Sequence, residues 1–405
     1  MEGRGVVIVD YLRSAFSRSR PREPERDVFN SVRMDDVTAT LIKEMIRRTG
    51  LKLEDIDELH AGTAQPWGEQ MMFGGRNIAF LAELPFSVAA THIDRQCASS
   101  MATIHTGAME IALGFSDVVI SCGIEHMTHN PMGGPGGGDA AASPVKPNEK
   151  LFTDPRYQKY DMLTAMNMGL TAEKLFKHTD FTREDMDSWA MRSHQRAARA
   201  LEEGFFKDEI MPVEVTLADG SKQVIVHDVS IRPDTTMEGL AGLRPAYTPD
   251  GQVTAGNSSP LNAGATAMIL MSREKAAEYG LKPMASIVSM GWSGVDPSMM
   301  GLGPIPASRK ALASAGMKVE DIDFWEINEA FAIVTINAIK ELGIDPEKVN
   351  VKGGAVAIGH PLGASGTRLV GTLARILKLE GGTYGLATPC VGGGQGAATI
   401  LKRED

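Results

Sequence analysis

The sequence has few cysteines and no long apolar run, and both deficits narrow the possible classes of protein. Three cysteines in 405 residues make no disulfide framework, so we expect a reducing compartment. No apolar run reaches the length of a membrane span. The strand-like run that begins at Gly5 leaves no room for a secretory signal. Together these absences predict a cytoplasmic protein without a membrane span.

The chain also has a shortage of positive charge, which argues against one class of partner. Its formal net charge is −10, with 41 Lys and Arg against 51 Asp and Glu. Such an acidic balance disfavours binding to nucleic acid, because phosphates attract basic surfaces. A local basic patch for a phosphorylated ligand remains compatible with it. The length exceeds that of a single core, so we expect two or more domains.

Apolar runs alternate with a helical pattern over residues 1–129. Residues 6–9, 88–93 and 117–121 read as buried strands. Residues 34–48 predict a helix, since acidic residues stand in its first turn and basic residues in its last. The alternation predicts α/β layering with mostly parallel strands.

The pattern changes after residue 130. Residues 131–144 are rich in Gly and Pro and predict an exposed, flexible segment. Residues 161–206 predict helices, with a capping-box pattern at 182–185, and 218–220 predicts a hairpin turn. We therefore divide the chain into an N-terminal α/β half at 1–129 completed by 262–283, an inserted loop domain at 130–261, and a C-terminal α/β half at 284–405.

The second half of the chain repeats the first. Residues 50–57 read GLKLEDID and residues 316–323 read GMKVEDID, which gives six identities in eight positions at an offset of 316 − 50 = 266. At that offset Cys97 corresponds to Gly363. Internal repeats tend to pack about a pseudo-twofold axis, so we expect the helix N-termini that follow Cys97 and His360 to meet near the molecular centre.

Two glycine-rich stretches near the C-terminus each contain one reactive side chain. His360 lies within residues 353–368, and Cys390 lies within residues 387–396. Glycine lets a ligand approach the main chain and leaves amides free to face negative charge. Such stretches predict a functional site, the alternative being a pair of packed loops.

Cys97 lies at the predicted start of a helix. The helix dipole there lowers the pKa of a thiol and favours the thiolate. The alternative is that Cys97 is a small buried packing residue. The repeat brings His360 towards the same corner, and a cysteine beside a histidine has the parts of an activated nucleophile.

Three further residues near these stretches have candidate roles. Asn328 could hold a water or donate to an oxyanion, or it could cap a helix. The amides of Gly392 and the glycines after it could line an oxyanion pocket next to Cys390. Cys122 lies at the end of a predicted buried strand, and we interpret it as structural. The spacing of Cys and His fits no familiar zinc pattern, so we expect no metal site.

These residues carry a resemblance to the thiolase family, and it covers essentially the whole chain. The motifs that carry it are Cys-Ala-Ser-Ser-Met at 97–101, Asn-Glu-Ala-Phe at 328–331, Gly-His-Pro at 359–361 and Cys-Val-Gly-Gly at 390–393. Residues 123–127 and 296–304 resemble the bacterial fatty-acid-oxidation branch of that family. The resemblance implies a thiolase fold, in which two duplicated α/β halves pack as a layered α-β-α-β-α core with an inserted loop domain.

The resemblance also implies an acyltransferase that cleaves 3-ketoacyl-CoA with coenzyme A. Cys97 would be the nucleophile that becomes acylated, and His360 would help to deprotonate it. Cys390 would act as acid and base. His360 and a water held by Asn328 would form one oxyanion hole, and the amides of Cys97 and Gly392 would form the other.

For the CoA substrate, the resemblance extends to Met168, Arg232 and Ser259 in the inserted domain. Arg232 suits the phosphate or adenine end of CoA by charge or stacking. CoA is a substrate here, so no separate cofactor is expected. Where the family usually has Asp, this chain has Ala263. The position lies just after the loop that binds CoA, so the difference affects the rigidity of that loop or its affinity for CoA.

Several alternatives remain open from the sequence. The same residues would serve a biosynthetic acetoacetyl-CoA thiolase, whereas a ketosynthase would have a second histidine in place of Cys390. A non-catalytic acyl-CoA or lipid carrier would not need Cys97, His360, Cys390 and Asn328 together. The resemblance implies a homodimer or homotetramer, or a complex with a hydratase/dehydrogenase subunit, with residues 131–144 at the partner contact.

Overall fold

The computed structural model describes residues 4–70, 73–133 and 147–404. Its strands are β1 (Val6–Ser14), β2 (Ser17–Arg18), β3 (Glu58–Gly62), β4 (Ala89–Ile93), β5 (Val118–His126), β6 (Ile210–Met211), β7 (Val213–Thr216), β8 (Lys222–Ile225), β9 (Asn262–Ser272), β10 (Ala285–Gly294), β11 (Phe324–Ile327), β12 (Tyr384–Thr388), β13 (Cys390–Val391) and β14 (Gln395–Arg403). Its α-helices are α1 (Met34–Thr49), α2 (Gly75–Leu81), α3 (Ser99–Leu113), α4 (Lys150–Thr153), α5 (Met162–Ala165), α6 (Met168–Lys177), α7 (Arg183–Glu202), α8 (Met237–Ala241), α9 (Arg273–Glu278), α10 (Pro304–Ala315), α11 (Ala332–Leu342), α12 (Ala355–Ile358) and α13 (Ser365–Glu380).

The strands of the two halves form two layers that meet along a short seam. In the part of the chain described, the order is β11-β12-β14-β10-β1-β9-β5-β3-β4. β1 and β10 pair at only two positions, Val7 with Ser286 and Ile8 with Ala285. Helices α3 and α13 pack together between the two layers, α1 and α2 cover the outer face of the N-terminal half, and α10 lies on the C-terminal half. The predicted α-β-α-β-α core is confirmed.

Strand β1 illustrates why its sequence is continuously apolar. Val7 and Val9 pack into the cluster that contains α1, whereas Val6 and Ile8 pack into the cluster that contains α3 and α13. Successive side chains of a strand point to opposite faces. Because helices cover both faces, both sets of side chains must be apolar.

The prediction of mostly parallel strands, made for residues 1–129, is confirmed there, since β3 is parallel to β4 and β5, and β1 and β5 are both antiparallel to β9. It does not hold for the strands that follow. Strand β9 runs antiparallel to both of its neighbours, β1 and β5, and β14 runs antiparallel to β10 and β12. The longer parallel pairings are β3 with β4, β3 with β5, and β11 with β12. A strand buried on both faces has the same continuous apolar pattern whatever its direction, so the pattern could not report the reversal.

Most local predictions agree with the structure. The predicted helix at 34–48 is α1, and the predicted strands at 6–9 and 88–93 fall within β1 and at β4. Helices α5 to α7 occupy the predicted helical region, and Thr182 and Asp185 form the capping box of α7. The predicted turn at 218–220 joins β7 to β8.

Cys122 lies inside β5 rather than at the end of a strand, since β5 continues to His126; it is fully buried in the core. Most of the predicted Gly/Pro-rich segment, residues 134–144, lies outside the described residues.

No described helix is long and apolar enough to cross a membrane. The domain boundaries at 130, 262 and 284 stay predictions.

The N-termini of α3 and α13 meet at the centre, as the repeat predicts. The amide of Thr367 donates to Ser100 Oγ at 2.9 Å. Gly366 lies directly against the backbone of Met101, where a Cβ would overlap the Met101 amide. The absence of a side chain at Gly366 therefore allows the two helices to approach this closely.

Because of this contact, a side chain at Gly366 should destabilise the fold. We expect Gly366→Ala to lower the free energy of unfolding by about 1–3 kcal/mol, as overpacked core sites do. Gly294→Ala is the matched control, since a Cβ there meets nothing within 4 Å. Chemical denaturation of both variants tests this, and equal midpoints for the two would contradict it.

Candidate active site

Cys97 is presented by a tight corner between β4 and α3. A short 3-10 turn, Gln96–Ala98, precedes the helix. Gln96 has a φ of 47°, in the left-handed region that residues other than glycine seldom adopt. Its amide donates to Asp94 Oδ1 at 2.8 Å, and its carbonyl accepts from Ser99 Oγ at 2.7 Å. These bonds hold the strained residue and so orient Cys97, a feature that the sequence did not reveal.

The surroundings of Cys97 are apolar. It packs in a small buried cluster with Ala64, Met127 and Leu362. Burial raises the pKa of the Cys97 thiol to about 11, although the Gly392 amide donates to the sulfur and opposes this shift. The expectation of a thiolate at rest is wrong, because the loss of hydration outweighs the helix N-terminus. Cys97 therefore needs a base.

His360 lies in the matching loop of the second half. Its Nδ1 lies 2.5 Å from Ser365 Oγ, and Ser365 donates its single hydroxyl proton to the Pro361 carbonyl at 2.8 Å. The hydrogen bonds therefore assign the proton of His360 to Nδ1, which donates to Ser365. Nε2 is then unprotonated. It lies 3.3 Å from Asn328 Nδ2.

His360 is neutral at working pH. Burial lowers the pKa of its imidazole to about 3, and the nearby positive charge of Arg368 lowers it further. The His360 amide donates to Asn262 Oδ1 at 2.7 Å, which fixes the loop. A neutral imidazole with a free Nε2 can accept a proton, which is the property that a base for Cys97 requires.

Asn328 lies directly after β11 and faces His360. The alternative that it caps a helix is wrong, since α11 begins at Ala332 with Phe331 at the cap. Asn328 Oδ1 is buried and has no hydrogen-bond partner among the described residues. A buried acceptor of this kind fits an ordered water.

Glu329, the residue after Asn328, anchors this loop, and the sequence reasoning missed it. Its carboxylate accepts from Trp189 Nε1 at 2.9 Å, Ser193 Oγ at 2.7 Å and Asn350 Nδ2 at 2.8 Å. These three side-chain donors fix the fully buried carboxylate, and with it the backbone on which Asn328 is carried. The sequence signal was its place in the Asn-Glu-Ala-Phe motif at 328–331.

Cys390 lies close to Cys97. It is fully buried, and burial holds the pKa of its thiol well above the usual range, with the negative charge of a Cys97 thiolate adding to the shift. Cys390 therefore keeps its proton at rest. Gly393 and Gly394 have φ values of 80° and 76°, and this turn directs the Gly392 amide towards Cys97.

The residues predicted to contact CoA lie in two places. Arg232 lines a cleft of about 370 Å³ together with Arg18, His194 and Ser258. Ser259 lies beside the cleft, where its hydroxyl donates to the Ala330 carbonyl at 3.1 Å.

Met168 lies at the catalytic end. Its Sδ would be 3.6 Å from a Cβ built on Gly392. Arg18, which belongs to the opposite end of the chain, was not identified from the sequence.

Ala263 lies nearer to the catalytic histidine than the sequence analysis expected. It is fully buried in β9 and pairs with Ser17 and His126. Its neighbour Asn262 accepts the His360 amide. The Asp-to-Ala difference therefore lies next to the residue that holds the His360 backbone, as well as next to the loop predicted to bind CoA.

Two thiols, a neutral imidazole and backbone amides meet at the interface of duplicated α/β halves, an arrangement typical of an acyltransferase. Within the described residues, no group of three metal-ligating side chains is present. The chain matches the thiolase N-terminal domain over residues 6–274 and the thiolase C-terminal domain over residues 281–403. It belongs to the thiolase family.

Curated relatives match over nearly the full length. A 3-ketoacyl-CoA thiolase of Marinobacter nauticus is 43% identical over 405 residues, covering 99% of this chain and 98% of the relative. One from Saccharophagus degradans is 43% identical over 408 residues, covering 100% and 99%. The crystal structure of a Bacillus anthracis acetyl-CoA acetyltransferase superposes with a TM-score of 0.86 at 36% identity, covering 99% of both chains.

The raised pKa of Cys97 predicts how its reactivity depends on pH. The thiolate is the form that reacts, so the alkylation rate at Cys97 should rise about tenfold per pH unit until the pH nears about 11. An unfolded chain should level off above its ordinary pKa of about 8.5. Timed iodoacetamide labelling with peptide mapping checks this, and a plateau near neutral pH in the folded protein would contradict it.

Proposed function

We propose that this protein catalyses the thiolytic cleavage of 3-ketoacyl-CoA by coenzyme A, giving acetyl-CoA and a shortened acyl-CoA, as in fatty-acid β-oxidation. The observation that carries the proposal is one buried pocket that holds two thiols beside a neutral imidazole. The two relatives from Marinobacter nauticus and Saccharophagus degradans are named 3-ketoacyl-CoA thiolase, which supports the same reaction.

The first half-reaction cleaves the carbon–carbon bond. His360 Nε2 accepts the Cys97 proton, and the sulfur attacks the 3-keto carbon, whose oxygen faces the amides of Cys97 and Gly392. Collapse of that intermediate breaks the bond between C2 and C3 and leaves an acyl thioester on Cys97. The departing acetyl-CoA carries its electron pair as an enolate, which the Nε2–H of His360 and a water on Asn328 stabilise. Cys390 then protonates C2.

The second half-reaction releases the shortened acyl chain. The Cys390 thiolate left by the first step takes the proton of incoming CoA. The CoA sulfur attacks the thioester on Cys97 and forms acyl-CoA. The Cys97 thiolate leaves and recovers its proton from His360, which restores the resting state. Every proton is back on its resting group at the end of the two half-reactions. CoA is consumed as a substrate, and the scheme uses no additional cofactor.

The basic cleft fits the phosphates of CoA. Burial lowers the pKa of Arg18, and so do the positive charges of Arg20, Arg232 and Arg26. Arg26 forms an ion pair with Glu23. The other three arginines have no ion-pair partner among the described residues. A phosphorylated ligand would offset their mutual repulsion. We therefore assign the nucleotide end of CoA to this cleft and its thiol end to the region of Met168.

The alternatives differ in measurable ways. A biosynthetic acetoacetyl-CoA thiolase would favour condensation of two acetyl-CoA molecules and the shortest substrate. A carrier would bind acyl-CoA without releasing thiol. The convergence of Cys97, His360, Cys390 and Asn328 on one pocket disfavours the carrier, since binding alone requires none of these groups in that arrangement.

The reaction is tested by a rate series over 3-ketoacyl-CoA chain lengths, with condensation measured alongside. Cys97→Ala should abolish both acyl-enzyme formation and turnover. Cys390→Ala should still be acylated by an activated thioester, yet lose about 10²–10⁴-fold in cleavage and condensation, as typical for a general acid–base group.

Cys122→Ala is the matched control, because Cys122 is a buried thiol in the core away from the pocket. It should retain normal turnover. Near-normal turnover of Cys390→Ala would show that the proton comes from another group. Peptide mapping of a trapped acyl-enzyme with the label on Cys122 or Cys390 would contradict the assignment of Cys97.

We also propose a homodimer, with homotetramers or a hydratase/dehydrogenase complex as larger assemblies, in the cytoplasm. Strand β4 pairs only with β3 in the described part of the chain and forms a free edge. Phe86, three residues before β4, is a large apolar side chain that is 91% exposed. An open edge with exposed apolar groups is a site for self-association.

A charge in this region should break the dimer. We expect the unsubstituted protein to show at least twice the chain mass in light scattering at micromolar concentration. Phe86→Arg should reduce it to the monomer mass, since the charge would be buried unpaired. Leu379→Arg is the control, because Leu379 is exposed at the far end of α13. A monomeric unsubstituted protein would contradict the proposal.

A further inference from the structure

Glu125 is a fully buried acidic residue near the end of β5, and it takes no part in the chemistry described above. Its carboxylate accepts four hydrogen bonds, and all four donors are neutral groups. Oε2 accepts the amides of Ala64 and Gly363, each at 2.9 Å. Oε1 accepts from Gln70 Nε2 at 2.7 Å and from Thr63 Oγ1 at 3.2 Å. Burial raises the pKa of this carboxyl, and the hydrogen bonds oppose the rise.

The internal repeat indicates that the fold does not need a carboxylate at this position. At the offset of 266 residues, Glu125 corresponds to Val391. Val391 is fully buried in an apolar cluster, so the second half packs with a valine where the first half has a glutamate. Because burial of a carboxylate costs free energy, packing alone does not account for Glu125.

The Ala64 amide belongs to a segment that lies beside Cys97. Ala64 packs in the same small buried cluster as Cys97. Its carbonyl accepts from Gln96 Nε2 at 3.4 Å, and Gln96 is the strained residue that precedes Cys97. The bond from the Ala64 amide to Glu125 therefore fixes the segment against which the Cys97 corner packs.

The Gly363 amide belongs to the loop that carries His360, three residues earlier in the chain. A Cβ on Gly363 would lie 2.5 Å from the carbonyl oxygen of Ile124, so the loop lies directly against the strand that carries Glu125. One carboxylate oxygen thus joins the segment beside Cys97 to the loop of His360, across the interface between the two halves of the chain.

We infer that Glu125 is a positioning residue for acyl transfer, which sets the separation between the Cys97 sulfur and the His360 imidazole by binding one amide from each half of the chain. The inference rests on the proposed function, in which His360 takes the proton of Cys97. Transfer of that proton depends steeply on distance, and a displacement of about 1 Å can cost about 10²-fold in rate. Glu125 acts through the two amides.

An exchange of side chains between positions 125 and 70 tests the inference. Glu125→Gln is nearly isosteric, but its amide nitrogen must face two of the four donors. We expect kcat to fall about 10²-fold. KM for CoA should stay within about threefold, since other residues line the cleft assigned to CoA.

The double variant Gln70→Glu with Glu125→Gln should recover kcat to within about tenfold of the unsubstituted protein. The new carboxylate at position 70 accepts from the new amide at position 125. That bond leaves the oxygen at position 125 free to accept the amides of Ala64 and Gly363. Gln70→Leu, which removes one donor and keeps the carboxylate, is a milder second variant. It should also lower kcat, and it decides the question if Glu125→Gln does not fold.

Asp57→Asn is the matched control. Asp57 Oδ2 also accepts two backbone amides, those of Asp117 at 2.7 Å and Val118 at 3.0 Å. It lies at the opposite ends of the same two strands, β3 and β5. The same change from carboxylate to amide there should leave kcat unaltered, whatever its effect on stability.

The pH dependence of acylation separates positioning from a general loss of structure. Acylation of Cys97 by p-nitrophenyl acetate needs a base only while the thiol is protonated. Burial raises the pKa of Cys97 to about 11, and the negative charges of Glu125 and Asp94 add to the rise. The rate deficit of Glu125→Gln should therefore shrink between about pH 7 and about pH 10, as thiolate forms without His360. An equal deficit at every pH would indicate a purely structural role and overturn the inference.

Three further results would overturn the inference and leave the proposed function intact. They are an unchanged kcat in Glu125→Gln, no recovery in the double variant, and an equal loss of kcat in Asp57→Asn. Failure of the unsubstituted protein to cleave any 3-ketoacyl-CoA would overturn the proposed function instead. Acylation by p-nitrophenyl acetate requires no CoA, so it would still decide the role of Glu125.

Discussion

The contact between the N-termini of α3 and α13 is the constraint on which the catalytic pocket depends. It joins Ser100 to Thr367 and requires glycine at position 366. Cys97 and His360 lie a few residues before these two helix starts, so their proximity follows from the contact. Glu125 ties the surrounding loops together, since its carboxylate accepts the amides of Ala64 and Gly363, each at 2.9 Å. These long-range bonds make the pocket rigid before any substrate arrives.

Burial makes the pocket electrically neutral at rest. It raises the pKa of Cys97 to about 11 and lowers that of His360 to about 3, so neither group is charged near neutral pH. Charge appears only when the proton moves from Cys97 to His360. In a site of low dielectric, the amide of Gly392 then interacts strongly with the new negative charge. The chain thus provides dipoles in advance for charges that exist only during the reaction.

Helices α6 and α7 support two of the loops around the pocket. Trp189 and Ser193 of α7 hold Glu329 and so support Asn328, and Lys174 of α6 donates to Ser298. Residues distant in sequence from these loops therefore fix their position by side-chain hydrogen bonds.

The sequence by itself determined the local features and the order of the motifs. The acidic residues in its first turn and the basic residues in its last predicted α1. The eight-residue repeat predicted that the two helix starts would meet, because duplicated halves pack alike. The tertiary structure alone decided the direction of β9 and β14, the protonation of Cys97 and the role of Glu329. Strand direction leaves no trace where both faces are buried. A pKa depends on every atom that displaces water, and the bond from Trp189 to Glu329 spans 140 residues. Such quantities arise from contacts between distant segments, which only folding brings together.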